Sequence, residues 1–269
     1  MKLTQVSIQN GIGETLNLPL HSYVNGFLVK DIAGLDPVGA SLVSTTVARL
    51  DGAQFQASRR ETRNIVLTLG LEPDYTVHED VGSLRRTLYN YAMPEAEVRL
   101  IFDLNGVPFA STLARVESLE TSLFSASPEV QISFIAYDPD FIGVEQLKTD
   151  TPLSTGTTIV YNGTVATGLH FIYVVDNLTD PWIEIVGASG IPRRLQLKGT
   201  FSKSIEVDTR PGHKYVREHG GVYGNASLLY AAQRNTFWPL LEPGSNILTF
   251  ATGGNTSLGY DANLRYGGL

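Results

Sequence analysis

The stretch ARLDGAQFQASRRETRNIVLTLGL, residues 48–71, decides how the rest of the chain is read. Its end alternates Ile65, Leu67, Leu69 and Leu71 with Asn64, Val66, Thr68 and Gly70, the period-two pattern of a strand with one buried face. Ahead of that strand, residues 54–63 are polar and carry Arg59, Arg60, Glu61 and Arg63, too much charge for a core. Asp51-Gly52 supplies a turn at the far end, because glycine accepts positive φ at little cost. The whole reads as strand, long polar arm, strand. An arm of this length on a sheet suggests an assembly contact, with a solvated hairpin loop as the plain alternative.

Outward from that stretch the chain is strand and turn. Residues 3–8 and 23–30 alternate as strands, and Gly11, Gly13 and Pro19 mark the connection between them. Gly11-x-Gly13 is no dinucleotide fingerprint, since Leu16 stands where the third glycine belongs. Gly34-Leu35-Asp36-Pro37 is a bend, and residues 44–50 read as the strand entering the arm. One helix is expected: Thr76-Val77-His78-Glu79 has the form of a capping box, and Val77, Val81, Leu84 and Leu88 fall on one stripe. Gly82 inside it costs about 1 kcal/mol against alanine, so packing on a sheet must hold it. Pro94 stops it, and Arg85 and Arg86 lie off the stripe, on a solvated face or, as the sharper alternative, at an intersubunit contact.

Residues 97–103 and 108–115 flank Asn105-Gly106, a hairpin signal. Residues 129–136 form the next strand, which breaks at Tyr137-Asp138-Pro139-Asp140-Phe141. The domain border falls here, giving domains 1–144 and 145–269. The second half runs through short strands at 157–161, 169–176, 182–186, 194–198, 204–208, 214–217, 247–250 and 261–266, which argues for a β-sandwich. A short helix is expected within 225–234. The fold class is mainly β: a sandwich or barrel-like first domain with one α-helix and a long arm, then a second β-sandwich.

At 269 residues, one core usually stops growing, so two domains are expected. The apolar fraction of 42% against 17% charged residues argues against disorder. With no cysteine, disulfides and thiolate metal sites are excluded. The first residues, MKLTQVSIQN, have no signal-peptide pattern and no run is long enough for a membrane span, so synthesis in a cytoplasm without membrane insertion is expected. Asn162, Asn177, Asn225 and Asn255 match the glycosylation pattern but read as turn asparagines. Residues 1–144 hold 10 basic and 17 acidic side chains, a net of 10 − 17 = −7, and the remainder balances at 10 and 10. That is the reverse of a phosphate-gripping footprint.

Catalytic patterns are absent. His21, His78, His170, His213 and His219 form no metal-ligand spacing, and His213 with His219 read as flanks of a hairpin. Asp138 and Asp140 are explained by the Asp-Pro-Asp turn rather than by a glycosidase pair. Gly187-Ala188-Ser189-Gly190 misses the nucleophile elbow by one residue. No enzymatic activity, cofactor or metal is expected. Trp182 and Trp238 with Tyr161, Tyr173 and Tyr230 could stack on sugars, although core burial is the commoner fate of such rings.

Several motifs together resemble the distal tail proteins of long-tailed, non-contractile bacteriophages. In the first half these are Gly34-Leu35-Asp36-Pro37, Asp51-Gly52 with the arm leading into Arg63-Asn64-Ile65-Val66-Leu67, and Ala136-Tyr137-Asp138-Pro139-Asp140-Phe141. In the second they are Asp176-Asn177 with Pro181-Trp182-Ile183-Glu184-Ile185, Ile205 to Gly212, and Trp238 to Asn246. The resemblance implies a homohexameric ring at the distal end of a phage tail, built by the first domains, with galectin-like second domains outside. The tail tube protein would meet one ring face and the tail hub or fibre protein the other, and DNA would pass through the channel without specific binding. Arg59, Arg60 and Arg63 are the residues expected at a subunit contact. A carbohydrate-binding receptor-recognition module is the alternative function, and a tail-associated hydrolase a more distant one.

Overall fold

The computed structural model describes residues 2–20, 22, 26–46, 51–73, 80–122, 127–149, 153–220, 226–234, 236–253 and 255–269. The chain divides into two compact units, residues 1–144 with 267–269, and residues 145–266. It is mainly β, with several sheets.

In the first unit the elements are β1 Leu3–Gln9, β2 Thr15–Pro19, β3 Phe27–Ala33, β4 Ala40–Thr45, β5 Gln54–Arg60, β6 Arg63–Leu71, α1 Val81–Tyr89, β7 Glu97–Leu104, β8 Val107–Thr121, β9 Glu129–Ala136 and the start of β10 Phe141–Thr149. The strands run antiparallel in the order β3-β6-β9-β8-β7-β1-β2, with β10 touching β8 at Ile142 and Gly143. A single bridge, Leu20 to Val29, connects the two ends of this order, and no ladder closes it into a barrel. The β7–β8 hairpin turns at Asn105 and Gly106, with φ of 53° and 82°, the conformation that Asn-Gly adopts most readily.

The alternation in β6 buries Ile65, Leu67 and Leu69, which lie in register with Phe134, Ile132 and Val130 of the neighbouring β9, all buried too. Leu84 and Leu88 of α1 are fully buried, the two stripe positions that packing must hold given Gly82. Asp80 caps the helix by accepting from the Ser83 N–H at 2.6 Å, while the expected capping box at residues 76–79 lies outside the described residues. Two expectations need correction. The supposed connection after β1 holds strand β2, whose Leu16 and Leu18 alternate inward between polar neighbours. The arm is strand too: β5 occupies the polar run, and its partner β4 begins at Ala40 rather than at Ser44.

The second unit comprises the end of β10, β11 Thr157–Tyr161, β12 Thr167–Gly168, β13 His170–Val174, β14 Leu178–Thr179, β15 Trp182–Val186, β16 Pro192–Gln196, β17 Thr200–Phe201, β18 Ile205–Asp208, β19 Tyr215–Glu218, β20 Leu240–Leu241, β21 Gly244–Phe250 and β22 Ser257–Tyr266. One sheet runs β19-β18-β13-β22-β10 and the other β11-β21-β15-β16. Phe171, Tyr173, Ile205, Val207 and Leu258 of the first, with Ile159, Ile183, Ile185, Leu248 and Phe250 of the second, form the buried interior of a β-sandwich. Tyr173 and Phe250 meet edge to face across it, ring centres 5.7 Å apart. The helix expected within 225–234 is reduced to one 3₁₀ turn, Leu229–Ala231, because its apolar residues are too few to define a buried stripe.

Candidate assembly site

The arm is a two-stranded ribbon, β4 and β5, in which every strand residue is exposed. The two strands pair with each other, Ala40 opposite Arg60 and Thr45 opposite Gln54, with one irregularity after Val43. Three large apolar side chains stand in solvent on it: Leu42 at 69% exposure, Val43 at 56% and Phe55 at 62%. An isolated two-stranded ribbon is at best marginally stable in water, so its root must be fastened.

The fastening is ionic. Arg60, the last residue of β5, makes a two-pronged contact with Asp140, Nη2 to Oδ2 at 2.9 Å and Nη1 to Oδ1 closer still. Asp140 is 1% exposed, and the Arg60 side chain closes over it from the surface. Three residues on, Arg63 opens β6 and is itself 1% exposed. Its Nε donates to Pro139 O at 2.8 Å, Nη1 to Gly34 O at 2.6 Å and Asp36 O at 2.7 Å, and Nη2 to Gly267 O at 2.5 Å. The Phe141 ring lies 4.2 Å from the guanidinium carbon, completing the cage with a cation–π contact.

Burial pulls the Arg63 pKa down, nearby Asp140 opposes that, and Arg60 adds to it. Four carbonyl dipoles thus replace the water that the cation has lost. Gly34 is indispensable to this arrangement: its φ is 87°, and a Cβ there would stand 1.9 Å from Asn64 O. The bends at 34–37 and 137–141 are therefore the two halves of a socket for the arginines between the arm and β6.

The three arginines expected at a subunit contact have three different positions. Arg59 is exposed on the ribbon opposite Ser41; Arg60 holds the root; Arg63 is enclosed within its own unit, with no surface to offer a neighbour. Their spacing in sequence marked them as one cluster, while the carbonyl cage gave no signal of its own. The proposed sugar platform does not assemble. Tyr161 and Tyr173 are buried in the sandwich with their hydroxyls donated to Val165 O and Ala251 O, and Trp182 carries the Arg194 guanidinium over its ring at 4.1 Å. Among the described residues no three acidic or histidine side chains gather as metal ligands, and no helix is long and apolar enough to cross a membrane.

Residues 19–135 match the family model described as phage tail protein RIFT-related domain. The crystal structure of the SPP1 Dit protein, described as a paradigm of the hub adsorption apparatus in phages infecting Gram-positive bacteria, aligns over 97% of this chain and 98% of that one, with a TM-score of 0.67 at 16% identity. At that identity the likeness is one of fold: the chain has the Dit fold over nearly its whole length. Chains of the phage P2 baseplate in its activated conformation, with Ca and with Sr, align at 10% and 9% identity with TM-scores of 0.44 and 0.43, too low to argue from. No curated protein matches in sequence.

Proposed function

We propose that this protein is the ring adaptor of a phage tail tip: six copies close into an annulus that joins the tail tube to the hub or fibre apparatus and leaves a channel for DNA. The family-model match over residues 19–135 and the likeness in fold to the SPP1 Dit protein support a structural role in a phage tail. The observation that carries the ring is the ribbon of β4 and β5, exposed on every residue, bearing Leu42, Val43 and Phe55 in water, and fastened at its root by Arg60 and Arg63. A ribbon held rigidly at one end and carrying three exposed apolar side chains among polar ones is suited to lie on the next copy, a heterologous contact that closes when repeated around an axis. Arg59 would sit in that contact.

Charge supports the channel. Each set of residues 1–144 carries 17 acidic against 10 basic side chains, so six sets sum to roughly −42 before counterions, and such a wall repels passing phosphates. The first test is native mass spectrometry of the full chain, expected to give six times the monomer mass. Replacing residues 40–60 by a short Gly-Ser linker should leave folded monomers; a ring that survives this removal overturns the reading. Lysines in place of lumen-facing acids should slow genome ejection, and an unchanged rate would remove the electrostatic part.

A further inference from the structure

The outward face of one sheet in the second unit is built in a way that solubility alone does not require. His170 of β13 is paired in register with Asp208 on one side and Asp261 on the other, and Ile172 likewise with Glu206 and Gly259. A chain of oriented side chains crosses this face. Glu206, 6% exposed, accepts from Arg217 at 2.8 and 2.9 Å and from the Tyr215 hydroxyl at 2.6 Å, and also contacts His219. It faces His170 Nε2 at 3.0 Å, and His170 Nδ1 in turn faces Asp261 Oδ2 at 2.6 Å. Asp208, 1% exposed, holds Arg210, whose Nη1 reaches Asp261 Oδ1 at 3.3 Å. Both oxygens of Asp261 are thus fixed from behind by groups that are themselves fixed, the support that a binding group needs to hold its geometry.

Asp261 ends this chain at a trough of about 420 Å³, lined also by His170, Gln146, Lys148, Ile172 and Gly259. The trough exists where it does because Gly259 contributes no side chain between Ile172 and β10, the strand on the other side of β22. Its rim offers the Asp261 carboxylate as acceptor, the Lys148 ammonium, and the Gln146 amide, whose Nε2 donates one N–H to Asn263 Oδ1 at 3.1 Å and has a second N–H, and its floor is a methyl-bearing side chain beside bare backbone. A carboxylate disfavours an anionic guest, and the Lys148 ammonium disfavours a cationic one. The chemistry that fits is neutral, with neighbouring hydroxyls that both donate and accept, and with a C–H face to lie on the floor.

We propose that this trough is a saccharide-binding site that takes one hexose-sized ring through vicinal hydroxyls. Asp261 accepts from the hydroxyls, Gln146 and Lys148 donate to them, and the ring's apolar face rests on Ile172 and Gly259. This site is separate from the aromatic residues that the sequence offered for sugar stacking, and it does not depend on ring formation.

Saturation-transfer NMR on the full-length protein tests it, with glucose, galactose, rhamnose, N-acetylglucosamine and N-acetylgalactosamine as neutral probes and glycerol 3-phosphate as the anionic one. At least one neutral sugar should bind saturably at about millimolar affinity, as expected for so small a ligand. Gly259→Val is the decisive variant. A Cβ at that position would meet only Thr149 O at 3.6 Å, an ordinary contact, so the strand keeps its fold while the trough fills. It should weaken binding at least tenfold without moving the melting temperature, and Asp261→Asn should weaken binding by a similar factor. Tyr230→Ala, on the exposed 3₁₀ turn, should change nothing. Failure of every neutral sugar to bind, stronger binding of glycerol 3-phosphate, binding that survives Gly259→Val, or binding lost with Tyr230→Ala would each overturn the proposal.

Discussion

Each unit buries a charge at the centre of a cage, Arg63 in the first and Glu206 in the second, and the two cages are built in opposite ways. Arg63 in the first unit is held by main-chain carbonyls at Gly34, Asp36, Pro139 and Gly267. Glu206 in the second is held by side chains, from Arg217, Tyr215, His170 and His219. A cage of carbonyls welds segments of backbone together, so its geometry is set by the path of the chain. A cage of side chains can relax and let water in when one member is removed. The first is a structural weld, the second an adjustable network, and substitutions should tell them apart.

The largest loss is expected for Arg63→Met. Four carbonyls lose their donor and the arm loses its hinge, at about 3–5 kcal/mol in denaturant titration of the first unit, with Arg63→Lys no better because one ammonium cannot reach all four oxygens. If lysine restores stability, the weld description is wrong. Glu206→Gln should cost less, about 1–3 kcal/mol, since the network around it is partly open to water. Its pH dependence carries the sign. The Arg217 hydrogen bond, opposed by burial and aided by Tyr215, His170 and His219, holds the folded pKa of Glu206 well below the carboxylate range. The stabilisation is therefore complete above the unfolded value near 4.3 and fades as pH falls below it. Melting curves of wild type and Glu206→Gln should differ most at neutral pH and converge in acid; a constant gap down to about pH 2 would argue against this linkage.

Asp140→Asn comes next, at about 1–2 kcal/mol, because the released Arg60 can turn to solvent. Its sharper readout is hydrogen exchange: amides of β4 and β5 should exchange faster while those of β6 keep their protection. The smallest effect on folding is expected on the ribbon itself. Leu42→Ser with Phe55→Ser should shift stability by no more than about 0.5 kcal/mol, since neither residue packs on its own unit, yet it should abolish the ring. A stable, fully assembled double variant would show that the contact lies elsewhere.

How much of this could be read in advance depended on whether the signal was local. The alternation of β6 and the Asn105-Gly106 turn rest on neighbours in sequence, and both appear where the pattern places them. β2 escaped notice because Gly11, Gly13 and Pro19 punctuate a run whose Leu16 and Leu18 alternate over only five residues. The arm read as polar loop because its strands bury neither face, which removes the contrast that marks a strand. The arginines were legible as a cluster, but their separation into exposed, bridging and enclosed depends on partners about 27 to 204 residues away. Gly34 carried no sign that Asn64 O would occupy the space of its missing side chain.

The bond from Arg63 to Gly267 has a consequence for synthesis. Its two ends lie 204 residues apart, and a ribosome adding about 5–20 residues per second needs roughly 10–40 s to travel from one to the other. Throughout that interval the nascent first unit has its ribbon but lacks the last clasp at the ribbon's base, so a prematurely terminated polypeptide would enter the pool of building blocks with a loose hinge.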